Sequence, residues 1–424
     1  MFLVGAAVGS FTFGTIADRI GRKAAFMLVS NGVCITASLL QYVCVILGRL
    51  EPFILGRFLI GISGGFGLML YVFAGECAEN PKQAGFVANL CISSVQLWVF
   101  FGTLLSFDFL MGSEILWPCS FLVPAPLATL HLLCYFWLPD SPKHCYITLG
   151  EETKALEAFR FYHGPSADWE AKREQLEAEK ALNESIRTQT ASVKEILTTR
   201  HLRWPFFLCA VAGLGGPSGG VAISQFYSTP LLTDFGLSER TAALLTVALL
   251  QLPSVILCYG VVFGRVIDRL GRKPVYLIGM CIGLCATLLL CFAGQLPSGL
   301  VQRLLLALAL FFAQQYWFMG PLVVVGVLTV DIVPQASRAF TAGVAIASAW
   351  CCSIMVSLYY PTASAAIGSL AAIPLSIVTL CTILFLYFFL PESKGKTVDE
   401  IVSRWVELKP PGVGKEESQV ENAV

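Results

Sequence analysis

The sequence predicts an all-α polytopic membrane protein made of two similar halves, and three observations carry that expectation. Hydrophobic residues make up 56% of the chain and charged residues 13%, and mean hydropathy is +0.72, whereas soluble globular chains carry roughly 25% charged residues. Eleven apolar stretches approach the about 20 residues needed to cross a bilayer: 1–17, 24–48, 52–75, 85–107, 115–138, 205–232, 241–264, 274–294, 302–330, 339–361 and 366–390. A ten-residue phrase occurs twice, as GTIADRIGRK over 14–23 and GRVIDRLGRK over 264–273. Each copy closes one apolar stretch and opens the next, so the repeat marks equivalent places in two halves.

The first stretch has no basic leader and runs directly into the 14–23 phrase, which argues against a cleaved signal peptide. In each phrase Gly21 or Gly271 lets the backbone turn tightly. Asp18 and Asp268 are placed to cap the next helix or to pair with Arg19, Arg22, Arg269 and Arg272. If the phrase at 18–23 faces the cytoplasm and the spans alternate, all of the 28 Lys and Arg except Arg49, Arg57, Arg240 and Arg303 fall on the cytoplasmic side. The positive-inside rule then sets the orientation, with the C-terminus cytoplasmic. The expected organisation is an N-terminal bundle over 1–138, a cytoplasmic helical linker over 139–204, a C-terminal six-helix bundle over 205–390 and a cytoplasmic tail over 391–424.

The linker carries ten basic and eleven acidic residues. Its run from Asp168 to Leu182 reads as a charged helix with Asp168–Lys172, Glu170–Arg173 and Glu177–Lys180 spaced for pairing. A solvated face is the preferred reading of it. Of the fifteen cysteines, those inside apolar stretches (Cys34, Cys44, Cys209, Cys281, Cys285, Cys351, Cys352) read as small buried filler without metal-site spacing. Net charge is zero, and no basic patch of nucleic-acid type is present. There is no phosphate-binding glycine loop and no nucleophile beside a base, so no catalytic residue, cofactor or metal is expected.

The doubled G-x-x-x-D-R-x-G-R-K phrase resembles a signature of the major facilitator superfamily. Further stretches resemble its sugar-porter, glucose-transporter-like branch. Pro139-Asp140-Ser141-Pro142-Lys143 is similar to P-E-S-P-R. The run from Pro391-Glu392-Ser393-Lys394 to Glu400-Ile401 is similar to P-E-T-K-G-x-T-x-x-E-I. Gly56-Arg57-Phe58 followed by Glu76 resembles the fourth-helix pattern, and Asp331 with Arg338 repeats its acid–arginine spacing. The resemblance implies two helical bundles around a central path that opens alternately to each side. It also implies ion-pair latches at the cytoplasmic end, formed among Asp18, Arg19, Arg22, Glu76, Asp268, Arg269, Arg272, Asp331 and Arg338.

The departures from that pattern are specific. Five spans rather than six precede the linker, and the one lacking is the family's first. The two glutamines of the family's seventh helix fall on Gly216 and Pro217, and its asparagine falls on Ala222. In the family these amides hydrogen-bond sugar hydroxyls. The tenth-helix tryptophan falls on Val324, and the eleventh-helix N-W becomes Ala349-Trp350. The run from Gly213 to Gly220 should break the helix near mid-membrane, with Gly216, Pro217 and Gly220 forming a hinge. A glycine-lined packing face is the alternative.

Polar side chains inside spans tend to face a cavity. Candidates to line a path are Gln96, Gln225, Tyr227, Gln314, Gln315, Trp317 and Trp350, with Ser93, Ser94 and Ser224 nearby. The competing reading, hydrogen bonding to a neighbouring helix, is preferred for the serines, stands level for the glutamines, and has a counterpart in plain packing for the tryptophans. The expected function is transport of a small polar solute, a sugar or polyol, across a lipid bilayer, in the plasma membrane. The rival is a non-transporting relative acting as sensor or interaction partner, or a truncated inactive form. An organic-ion transporter would need buried charges that the spans lack. Oligomeric state is not legible in the sequence.

Overall fold

In a computed structural model, residues 1–79, 81–187, 192–263, 269–334, 337–394 and 400–401 are described, and among them all regular structure is helical. The first half contains α1 (Phe2–Ile20), α2 (Arg22–Leu47), α3 (Glu51–Phe66), α4 (Leu68–Cys77), α5 (Pro81–Leu105) and α6 (Trp117–Cys134). The linker follows, with α7 (Glu152–His163), α8 (Trp169–Arg187) and α9 (Val193–Thr198). The second half contains α10 (Arg200–Gly215), α11 (Val221–Asp234), α12 (Glu239–Val261), α13 (Arg272–Gly294), α14 (Leu300–Met319), α15 (Pro321–Asp331), α16 (Arg338–Ile367) and α17 (Ile373–Phe389). The tail beyond Ile401 lies outside the described residues.

Among the described residues, seven continuous helical stretches are long and apolar enough to cross a membrane. The last, Phe340–Phe389, has 50 residues, more than twice the length one crossing needs. It is divided where Gly368 takes φ 62°, so α16 and α17 are separate crossings. The expected stretch 52–75 is interrupted at Gly67 between α3 and α4. Large apolar side chains such as Trp137 (73% exposed) and Phe136 (77%) form an outer surface that suits hydrocarbon rather than water.

Within the first half, α1 and α3 cross at backbone contact. Gly5 and Gly9 face Phe58 and Ile62, and Gly61 and Gly65 face Phe2, Ala6 and Ser10. A Cβ at Gly61 would stand 2.1 Å from the Phe2 carbonyl oxygen, so only glycine permits this approach. The second half is built on two cores. One gathers Leu208, Tyr276, Tyr316 and Leu328, and the other Ile223, Leu310, Val356 and Leu375.

The two halves meet along two helix pairs, α1 with α16 and α5 with α12. The repeated phrase follows α1 and α12, so these helices are equivalent. Counting onward, α5 and α16 are equivalent too, and the two contacts are therefore the same contact exchanged by a pseudo-two-fold.

The cysteine expectation is corrected in part. Cys44, Cys209 and Cys352 are buried filler, but Cys281, Cys285 and Cys351 are exposed, on apolar helix faces where a thiol substitutes for a small hydrocarbon group.

Candidate functional site

The most ordered polar structure is a pair of matching ion-pair assemblies at the linker end, one in each half. In the first, Arg22 Nε donates to Glu76 Oε1 at 3.2 Å, and Ser141 Oγ donates to Glu76 Oε2 at 2.7 Å. In the second, Arg272 Nε donates to Asp331 Oδ2 at 2.9 Å, and Ser393 Oγ donates to the same oxygen at 2.9 Å. The equivalence runs residue by residue: a cation from the repeated phrase, a carboxylate at the end of α4 or α15, and a serine from the P-D-S-P or P-E-S-K motif. Glu392 also accepts from the Arg272 and Lys273 amides at 3.0 and 3.1 Å. That carboxylate, carried in from the far end of the half, satisfies the first amides of α13. Gly21 and Gly271 adopt φ 91° and 100°, which opens the turn that each cation leaves from.

The expected latch residues do not all join. Arg338 donates to the Val333 carbonyl at 3.2 Å rather than to Asp331. Arg269 is exposed, and its carbonyl accepts from Lys394. The side chains of Asp18 and Arg19, and all of Asp268, lie outside the described residues. The bonds of Arg22 and Ser141 to Glu76 join segments of the first half and its linker, and those of Arg272 and Ser393 to Asp331 join segments of the second half and its tail, so each assembly braces its own bundle.

The linker docks onto the first assembly. Lys172 Nζ donates to the Ala78 and Glu79 carbonyls at 2.7 and 3.3 Å, and a His163 ring nitrogen lies 2.7 Å from the Cys77 carbonyl. Tyr162 donates to the Pro139 carbonyl at 2.8 Å, and Lys143 pairs with Glu179. Lys172 and His163 thus cover the carbonyl end of α4, where cations are favoured. The solvated-face reading of α8 therefore holds for Arg173, which pairs with Glu152, Glu170 and Glu177, but not for Lys172. Burial lowers the Lys172 ammonium below its ordinary value, raises the Tyr162 hydroxyl, and pushes the Cys145 thiol up to about 11.

At the expected mid-span break, α10 ends at Gly215, residues Gly216–Gly219 form a 3-10 turn, and Gly220 at φ 100° starts α11. Pro217 has no N–H, and Gly220 turns away from helical geometry, so carbonyls are left open in a place lipid cannot satisfy. Buried tyrosines brace the break: Tyr316 donates to the Gly216 carbonyl, and Tyr276 donates to the Ala212 carbonyl, which also accepts the Gly216 amide, each tyrosine bond at 2.6 Å. Ser218 donates to the Gly215 carbonyl at 2.6 Å. The Trp317 ring lies where a side chain on Gly216 would begin, with Cζ3 2.6 Å from that Cβ position.

The candidate path residues are dispersed over several places. Gln96 and Gln315 both lie against α12. Gln96 Nε2 donates to Gln251 Oε1 at 2.8 Å, and Gln315 Nε2 donates to the Leu250 carbonyl at 3.1 Å while its Oε1 accepts from Ser254. Gln314 is fully buried, and neither its Nε2 nor its Oε1 has a hydrogen-bond partner. Tyr227 donates to the Ser357 carbonyl at 2.9 Å and packs on Tyr360. Trp350 meets Phe2 edge-on across the seam at 6.4 Å between centroids, and Gln225 is exposed. Tyr227 lines a cleft of about 480 Å³ between the halves, together with Phe2, Phe53, Arg57, Phe226 and Ser357. That volume falls within the roughly 300–1,000 Å³ range of small-molecule sites. Sequence reasoning missed Gln251, Ser254, Tyr276 and Tyr316, although a polar atom inside an apolar span was the available signal. Among the described residues no group of three His, Cys, Asp or Glu could hold a metal ion.

The family model described as "Sugar (and other) transporter" matches residues 1–405. The mouse (Mus musculus) protein named solute carrier family 2, facilitated glucose transporter member 7 is 28% identical, over 95% of this chain and 77% of its own length. The human (Homo sapiens) member 11 is 30% identical, over 95% of this chain and 80% of its own length. Among solved structures, a proton:xylose symporter bound to 6-bromo-6-deoxy-D-glucose superposes with TM-score 0.74 at 18% identity, covering 95% of this chain and 87% of that one. The inward open xylose transporter from E. coli superposes equally well, with TM-score 0.74 at 18% identity and the same coverage. At 18% identity this likeness concerns the fold.

Proposed function

Because the chain belongs to the sugar transporter family and folds in the major facilitator manner, we propose that it carries a sugar or a related polyol across a membrane by alternating access. The observation that carries this reading is the seam: two equivalent halves, each braced by its own ion-pair assembly, meet among the described residues chiefly along α1 with α16 and α5 with α12. Rigid halves joined by a narrow seam can rock about a central site. No covalent chemistry is required.

On this reading the linker and the C-terminal segment face the cytoplasm, as the Lys and Arg distribution requires, and the protein works in the plasma membrane. The break at Gly216, Pro217 and Gly220 is the hinge. Gln96, Gln225, Tyr227, Gln314, Gln315, Trp317 and Trp350 are the solute-facing candidates. Gly216 stands where the family has an amide, so the ring of Trp317 takes that space, and the site presents an aromatic face in place of a donor. Buried Gln314 supports a change of state: an unpaired buried amide costs about 1–3 kcal/mol, and a partner supplied in another conformation would offset it. α1 takes the place of the family's second span.

Uptake of radiolabelled D-glucose, D-fructose, D-xylose and myo-inositol in a transporter-deficient host tests the proposal. The assay compares the chain as given with a form extended by in-frame upstream coding sequence. Saturable uptake by either supports transport, and uptake by the longer form alone assigns the path a further helix. Silence from both at normal surface expression favours the rival, a non-transporting relative, for which the loss of polar side chains at Gly216 and Pro217 is the specific support.

A further inference from the structure

Gln96 on α5 and Gln251 on α12 come from opposite halves, are 2% and 3% exposed, and are joined by a single hydrogen bond of 2.8 Å. An amide offers two N–H donors and a carbonyl acceptor. Whichever way the two amides are turned, one bond between them leaves one carbonyl oxygen and one NH2 group without a partner.

The backbone at Gln251 is set deliberately. Thr246–Gln251 is a π turn, and Pro253 follows it, so the helical ladder is loosened just where Gln251 projects. From the other side, Ser254 Oγ and Gln315 Nε2 hold the Leu250 carbonyl at 2.6 and 3.1 Å. That grip fixes the turn that carries Gln251, leaving its amide directed across the seam at Gln96. One helical turn or two further along, Ser93 Oγ and Cys258 Sγ meet at 3.2 Å, so the seam continues as a line of small polar contacts.

We infer that Gln251 is a solute-recognising residue, and that with Gln96 it exchanges the bond between the halves for a hydroxyl group of the solute. The inference rests on the sugar-transport reading. When the halves part, this bond breaks and leaves two bare amides in a dry path, which is unfavourable. A hydroxyl donates and accepts at once, so it can satisfy the acceptor of one amide and the donor of the other. A solute bearing a hydroxyl at that place lowers the cost of parting the halves, and one lacking it does not.

The test uses the full chain reconstituted in liposomes, with whichever of the four labelled probes it carries and the monodeoxy derivatives of that probe. For the unaltered protein, one monodeoxy derivative should compete at least about tenfold less well than the rest, as expected of a site built to bond a hydroxyl. In Gln251→Leu that difference should collapse, with KM for the parent probe raised about tenfold. Gln251→Asn, which keeps the amide on a shorter stem, should restore part of the discrimination. A purely structural role would weaken all derivatives equally and leave the discrimination intact, and that result overturns the inference while leaving transport standing. Absence of uptake by both the unaltered chain and its upstream-extended form overturns the transport reading and this inference with it; where only the extended form transports, the same variants are made in it. If Gln251→Leu fails to reach the membrane, Gln96→Leu replaces it, and the same collapse is expected.

Discussion

At the scale of single residues, glycines decide how closely the helices approach, and the consequences are opposite at different positions. A Cβ at Gly213 would stand 2.0 Å from the Ala345 carbonyl oxygen and 2.5 Å from Ser348 Oγ, whereas nothing lies within 4 Å at Gly343. Gly213→Ala should therefore force α10 from α16 and cost about 1–3 kcal/mol. Gly343→Ala should be neutral or stabilise by roughly 0.5–1 kcal/mol, because alanine is the better helix former. Thermal unfolding of the detergent-solubilised protein separates the two, and an equal Tm for both variants would contradict the close crossing. The same scale explains which side chains sequence reasoning overlooked. Tyr276 and Tyr316 each carry a polar atom into an apolar span, but only the packing of distant helices shows that their hydroxyls serve the Ala212 and Gly216 carbonyls.

At the scale of elements, the two ion-pair assemblies are alike in composition but independent in space. Arg22 and Glu76 are 25% and 9% exposed, and Arg272 and Asp331 are 20% and 21% exposed. These pairs are better shielded than surface pairs, which are worth about 0–1 kcal/mol, yet they are not sealed. Loss of one partner should cost about 1–3 kcal/mol. Glu76→Gln combined with Asp331→Asn should lower stability additively, since Glu76 is held by Arg22 and Ser141 and Asp331 by Arg272 and Ser393. Glu76→Gln combined with Ser141→Ala should be less than additive, since both remove the same cluster. Chemical denaturation of the three single and two double variants measures this. Strong coupling between Glu76 and Asp331 would mean that the assemblies do not act within separate halves.

At the scale of the whole molecule, the seam is the moving part. Ser93 Oγ and Cys258 Sγ are 3.2 Å apart, on α5 and α12. A Ser93→Cys substitution, with Cys258 kept as the remaining native cysteine, should form a cross-link on oxidation. Uptake should then stop and return with reductant. Full cross-linking with undiminished uptake would show that the halves do not part along these helices. The duplicated geometry gives a second site for the same experiment where Phe2 meets Trp350, because α1 with α16 repeats α5 with α12.

The sequence alone determined the helical membrane architecture, the two-fold repetition, the break at Gly216–Gly220 and the cations of the assemblies. These follow from local free energies: apolar length, backbone freedom at Gly and Pro, and the cost of burying charge are all readable within a window of some twenty residues. Only the tertiary structure decided which partners those residues take. Arg22 finds Glu76 across 54 residues, and Gln96 finds Gln251 across 155. Lys172 leaves its expected neighbour Asp168 for the carbonyls ending α4. A polar atom in an apolar span announces that it needs a partner, since desolvation is costly wherever it sits. Which atom answers depends on how distant helices pack, and the pattern along one helix does not contain that information.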